Sequence, residues 1–335
     1  MDAVSHLLSG ALLARSGFQE RLGRSATVVG MGAAILPDID SLARLAGPFA
    51  ALEHHRGFTH SLAGAVILSA ILAAGARALT RGRPFGSLYL LSLLGMLLHI
   101  LLDLFTAFGT VVLYPFSRER FAWDLLFLID PRFTLTLLLP LLLTRLLRRH
   151  AVHVARAGFV VMTLYVGVAS LNHSLAVNQV QAAALEQDVE VERAAAFPLP
   201  ASPFQWMGIV EGGGHLYQGL VDLRRPGPIR FEQFEQGVRN RYTERVEDLW
   251  EVKLYRWFAR FPVVIYRTSG EQHIVEYFDL RFSRVGERTS FFARLFVWIL
   301  DRLGSIDRSN PDRRPFTLRI VLDGEGRVQA LGWAR

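Results

Sequence analysis

GSLYLLSLLGMLLHILLDLFTAFGTVV, residues 86–112, decides the fold. The run is longer than the roughly 20 apolar residues a helix needs to cross a bilayer, so it reads as a membrane span. Two ionisable residues interrupt it, His99 and Asp103. A spacing of four puts both side chains on one helical face, a turn apart, where one cation can meet both. Ionisable groups inside such a run cost a few kcal/mol on insertion scales, and their presence normally marks a function. The alternative is a hydrogen-bonded His/Asp pair that locks two helices together.

Outward from this span lie further apolar segments. Leu62–Leu79 and Val154–Leu171 are long enough to cross, and Phe133–Leu147 is a little short. Val4–Ala14 and Ala26–Leu36 are shorter and rich in Gly and Ala, which suits short tilted spans, a re-entrant pair or helices buried among the others. Arg15, Arg21 and Arg24 fall in one connection, Arg77, Arg81 and Arg83 in a second, and Arg145, Arg148 and Arg149 in a third. If those connections are cytoplasmic, six segments alternate with the N-terminus and the C-terminal region outside. Met1–Ala14 lacks the basic leading region of a secretory signal, so insertion is expected through internal spans.

Hydrophobic residues make up 51% of the 335, yet the long apolar stretches all precede about residue 175. The expected organisation is a membrane-embedded helical domain of four to six segments over 1–175, a linker over 176–203 and a soluble α+β domain over 204–335. In the last, Gln205–Glu211 and His215–Leu223 read as a hairpin joined through Gly212, Gly213 and Gly214. Phe316–Leu322 and Val328–Trp333 read as another, joined through Asp323 and Gly324. Glu244–Phe261 has helical spacing, and Val263–Arg267 and His273–Phe282 look like strands. His215 and His273 are isolated, and this domain shows no chemistry of its own. Its expected part is to cover the membrane site or to contact a partner.

The formal charge of +7 does not point to nucleic acid, because the basic residues sit at the ends of apolar segments and form no interleaved basic and aromatic patch. With no cysteine, disulfides and thiolate metal sites are excluded, and any metal must be held by His, carboxylate or water.

Only nine acidic residues occur up to residue 180, and most stand near histidines or at segment ends on one side. HHRGFTHS, His54–Ser61, immediately precedes a span. His60 falls near the first turn of that helix, with Thr59 or Ser61 to cap it, and Gly57 lets the backbone bring His54 and His55 back towards the same place. In PDID, Pro37 ends a helix and Asp38 and Asp40 follow, as ligands or as a solvated helix end. His6 is a lone histidine, but the six-segment topology places it at the same face as Asp38, His60, Asp103 and the loop bearing Asp124 and Asp130. Those last two can be ligands, partners that orient imidazoles, or helix-start carboxylates favoured by the dipole. Arg56, Arg118 and Arg120 on this side can receive a phosphate oxygen.

MDAVSHLLSGALLA, ILPDID, HHRGFTHS, GMLLHILLDLFTAFGT and WDLLFLIDP, taken in order over about the first 130 residues, resemble the YdjM-type family of predicted membrane-bound metal-dependent hydrolases, LexA-regulated in some members. That family is similar at a distance to zinc-dependent phospholipase C and single-strand nucleases, which hydrolyse phosphodiesters with zinc ions held by His and Asp. The resemblance implies a bacterial inner-membrane hydrolase with His6, Asp38 or Asp40, His60, His99 and Asp103 as ligand positions, and His55 joins them from the HHRGFTHS cluster. His54, Arg56, Asp124 and Asp130 are expected around them or against substrate. The soluble relatives also use an N-terminal amine, which Met1 and Asp2 do not obviously supply, so one or two divalent ions, zinc foremost, are expected.

The expected activity is hydrolysis of a phosphoester, a phospholipid among the candidates, by a metal-activated water with Asp38 or Asp40 as general base. The membrane lipid is the expected partner. Two rivals use the same residues: a metal or proton transporter, which requires polar groups through the depth of the bundle, and a scaffold with a structural metal closed by four protein ligands.

Overall fold

The computed structural model describes residues 1–80, 82–200, 202–283 and 316–334. Arg81, one of the orienting arginines, and Ala201 in the proline-rich boundary lie outside them. The chain divides into two compact units, Met1–Leu171 and Asn172–Arg335.

In the first unit, α1 (Ala3–Leu13) begins at Asp2, whose carboxylate accepts from the Ser5 amide as an N-cap. A wide turn kinked at Gly17 leads to α2 (Gln19–Leu22) and α3 (Ser25–Ile35). Pro37 then opens a 3-10 stretch, Leu36–Ala46, followed by α4 (Pro48–His54) and α5 (Leu62–Leu79), with Ser61 accepting from Gly64 at the start of α5. α6 (Phe85–Leu104) is the central helix; it ends eight residues before Val112, and the rest of the apolar run is irregular chain. α7 (Pro131–Leu146) and α8 (Ala151–Leu185) complete the helical region.

Among the described residues, four stretches are long and apolar enough to cross a membrane: Ser25–Ala46, Leu62–Leu79, Phe85–Leu104 and Arg148–Leu185. α1 and α7 are shorter and lie against each other, with α1 also on α3 and α6.

Small residues set the close packing. A Cβ on Gly10 would stand 2.2 Å from the Gly30 carbonyl oxygen, and one on Gly95 would stand 2.8 Å from the Ala33 Cβ. α1, α3 and α6 therefore touch backbone to backbone, as small residues permit between membrane helices. His6 lies one turn before Gly10, and His99 one turn after Gly95.

The second unit is α+β. Residues 176–203, read from the sequence as a linker, hold the end of α8 and the strand β1 (Arg193–Pro198). β1, β2 (Gln205–Gly212), β3 (His215–Asp222) and β4 (Glu232–Glu235) form an antiparallel meander. The first hairpin turns at Gly213 and Gly214, both at positive φ, as the tight turn requires. Ala176, Val180 and Ala184 of α8 pack on this sheet around the buried Trp206.

The helix expected over Glu244–Phe261 is two helices, α9 (Arg241–Val246), opened by an Asn240 capping box, and α10 (Trp250–Phe258). They precede a second antiparallel meander of β5 (Pro262–Ser269), β6 (Gln272–Asp279), β7 (Leu318–Leu322) and β8 (Val328–Trp333).

Candidate metal centre

Five side chains meet where α1, α3 and α6 come together with the short turn Phe58–His60. His6, His60 and His99 are fully buried, and Asp103 is almost so. Asp103 stands at the centre. Its Oδ1 lies 3.4 Å from His6 Nε2 and 2.9 Å from Arg56 Nη2, and it also accepts from the buried Met1 amine, which was expected not to be supplied to the cluster. Its Oδ2 lies 3.3 Å from His60 Nε2 and 3.5 Å from His99 Nε2, yet makes no hydrogen bond. Asp38 Oδ1 approaches the same two nitrogens at 3.5 and 3.7 Å. The His6 and His99 rings stack with centroids 3.7 Å apart, and neither nitrogen of His6 finds a hydrogen-bond partner.

The orientation of two rings is set from outside. His99 Nδ1 lies 2.7 Å from the Ala34 carbonyl oxygen, which can only accept, so this nitrogen carries the proton. His60 Nδ1 lies 3.0 Å from Asp40 Oδ2 and is fixed in the same way. Each neutral imidazole then presents its Nε2 lone pair inwards, and the two Nε2 atoms face each other at 3.0 Å. Two lone pairs at that distance, beside an Asp103 oxygen that accepts nothing, repel unless a cation stands among them. The donor set thus fits a metal.

A proton can play the same part. Burial works against charge on His60, but Asp103, Asp38 and Asp40 outweigh it and raise its pKa to about 10.

Around the five stands a supporting layer. Asp40 accepts from His55 Nδ1 at 2.8 Å, from the Arg56 amide at 2.9 Å and from Thr59 Oγ1 at 2.7 Å, besides His60. Arg56, at positive φ, also donates to Thr106 Oγ1 at 2.9 Å and lies 5.0 Å from the centre of the Phe108 ring. Among the described residues, three groupings have the reach to hold an ion: His6, Asp38 and His99; His60, His99 and Asp103; and Asp38, Asp40 and His55, with donor atoms in each within 4.8 Å of one another.

The remaining candidates stand elsewhere. His54 is exposed, its Nε2 3.9 Å from Glu53. Asp130 caps α7 by accepting from the Arg132 and Phe133 amides, and its other oxygen accepts from Tyr165, which is the helix-start role. Asp124 is buried at positive φ and belongs to none of the three groupings. Arg118 pairs with Glu53 on the surface, and Arg120 donates to the Gly109 carbonyl. Sequence reasoning missed Thr59 as a partner of Asp40, Thr106 as a support of Arg56, and the Ala34 carbonyl. A backbone acceptor leaves no residue-type signal.

The chain belongs to the YdjM inner membrane protein family, which matches residues 1–176 and so takes in the whole cluster. It is also 29% identical over 138 residues to the uncharacterized protein YfhP of Bacillus subtilis (strain 168). That alignment covers 39% of this chain and 42% of YfhP, so the chain spans less than half of that curated relative. No solved structure is significantly similar. This is therefore an inner membrane protein with transmembrane helices and a buried His/Asp cluster able to bind a metal.

Proposed function

We propose that this YdjM-family chain is a metal-dependent hydrolase of the inner membrane, acting on a phosphoester. The observation that carries the reading is the inward approach of the His60 and His99 Nε2 atoms, 3.0 Å apart beside the unpaired Oδ2 of Asp103. His6, His60, His99, Asp38 and Asp103 would hold the ion, with His55 as a further ligand on the Asp38 and Asp40 side. A bound divalent ion, zinc foremost, supplies an acidified water and polarises a phosphoryl oxygen.

The carboxylates divide the remaining work. Asp40 receives four protein donors, so it positions His55 and His60. Asp38 is the more exposed, with 27% of its side chain accessible, and is the carboxylate free to take a proton from water. Arg56 puts a buried guanidinium beside Asp103 with its Nε unused, which suits an anionic substrate. The arginines of the other connections support an orientation with the cluster and the second unit at the outer face.

Zinc-loaded full-length protein in detergent tests this on a panel of phosphomonoesters, phosphodiesters and phospholipids. Asp38→Asn, which keeps an amide oxygen towards the ion, is expected to lose turnover by roughly 100-fold or more even at full zinc occupancy, the usual scale for a general base. Loaded wild type inert across the panel sinks the reading, and uptake of labelled zinc into proteoliposomes would put transport in its place.

A further inference from the structure

The stretch that brings Asp38 and Asp40 to the cluster, Leu36–Ala46, turns other side chains outward. Ile39, Leu42 and Leu45 are exposed, Leu45 to 87%. The loop after α6 exposes Tyr114, and Phe116 to 92%. The turn Phe58–His60 packs on Leu36–Ala46 and is tied to the loop after α6. Leu62 donates its amide to the Val112 carbonyl, and the partly exposed Phe58, on the turn that carries His60, meets the Tyr114 ring at 6.2 Å. A rim turned to water would not carry so many large exposed apolar side chains.

The bilayer is what covers it. Leu36–Ala46 is the last part of the membrane-crossing stretch Ser25–Ala46, so the rim continues the bilayer-facing surface. Tyr114 and Phe58 with the exposed Arg44 are the aromatic and basic mixture that settles at headgroup level. Asp38, the cluster carboxylate with the most exposure, sits on Leu36–Ala46 as well.

We infer that the rim of Ile39, Leu42, Leu45, Phe58, Tyr114 and Phe116 is sunk into the bilayer surface, and that the hydrolase takes a phosphoester carried on a lipid, entering from the bilayer. The substrate half of this rests on the proposed function; the seating of the rim does not.

The chain has no cysteine, so single nitroxide labels go in cleanly. Full-length Leu45→Cys and Phe116→Cys are labelled in phosphatidylcholine/phosphatidylglycerol vesicles. Ile71→Cys on α5 serves as the lipid-facing reference and Asp248→Cys in the second unit as the exposed one. Labels at 45 and 116 are expected to match 71, open to oxygen and shielded from a water-soluble nickel chelate. Behaviour like 248 overturns the inference, as does shielding from both reagents, which would mean a protein partner or a second copy on the rim.

The second arm compares zinc-loaded protein on phosphatidic acid in vesicles and on monomeric dihexanoyl phosphatidic acid. Leu45→Ser with Phe116→Ser is expected to slow the vesicle substrate about tenfold or more and the monomer by no more than about twofold, since each lost apolar side chain weakens seating. Equal losses on both substrates overturn lipid entry and leave the hydrolase standing. No hydrolysis of either, with both labels in lipid, removes the hydrolase and the substrate half together and leaves the seated rim.

Discussion

Asp40 receives four protein donors, and its charge is what holds His60 and His55 in place. Asp40→Asn removes that charge and leaves the volume. Partners that orient metal ligands typically contribute 10–100-fold in affinity, so zinc binding is expected to weaken by about that factor, read by competition with a chromogenic chelator. Unchanged affinity would place Asp40 outside the site. His60 sets the pH dependence. In metal-free protein its pKa lies near 10 against 6.5 for a free imidazole. The stability it lends is therefore complete below pH 6.5 and lost as pH rises through about 10. Zinc must displace that proton. Apparent affinity is thus expected to rise roughly tenfold per pH unit from neutrality towards about pH 10, with about one proton released per ion, measurable by calorimetry in buffers of different ionisation enthalpy. Affinity independent of pH would mean that His60 is not a ligand.

Between elements, the contact of α1 with α3 decides whether His6 reaches the site. Gly10→Ala forces a Cβ onto the Gly30 carbonyl and is expected to cost roughly 1–3 kcal/mol and to weaken zinc retention. Gly75→Ala, with nothing within 4 Å, is expected to be neutral. Equal melting temperatures for the two in detergent would contradict this packing. Asp130→Ala separates a cap from a ligand: it is expected to cost about 1–2 kcal/mol and leave metal content unchanged. At this scale the sequence reads well where a periodicity or a run is long. α5 begins and ends at the expected residues, and His99 and Asp103 share a helical face because a spacing of four leaves little choice. It reads poorly where a contact depends on which backbones touch. Nothing in a lone glycine announces that Gly10 meets Gly30, and Asp38 and Asp40 part company only because the chain after Pro37 continues as a 3-10 stretch. The segment 176–203 looked like a linker because α8 presents polar residues between the small alanines that pack on the first sheet.

Over the whole molecule, the four candidate spans among the described residues and the α+β character of the second unit agree with the change of composition near residue 175. Orientation can be read directly, since the chain lacks cysteine. A thiol placed at Arg44 is expected to react with an impermeant reagent on intact cells, and one placed at Arg83 or Arg149 only after lysis. The reverse pattern would put the cluster at the cytoplasmic face. All of this turns on whether the buried His/Asp cluster holds a metal. The measurement that bears on it most directly is the zinc content, by mass spectrometry, of detergent-purified full-length protein after zinc loading and removal of excess. Wild type would stand beside His99→Ala and Asp103→Ala, with His54→Ala as the control and helicity checked for each. Stoichiometric zinc in wild type and His54→Ala, with loss in both cluster variants at unchanged helicity, is the predicted result. A wild type that retains no metal, or cluster variants that retain it in full, would contradict the account and leave a polar network that locks α1, α3 and α6 together.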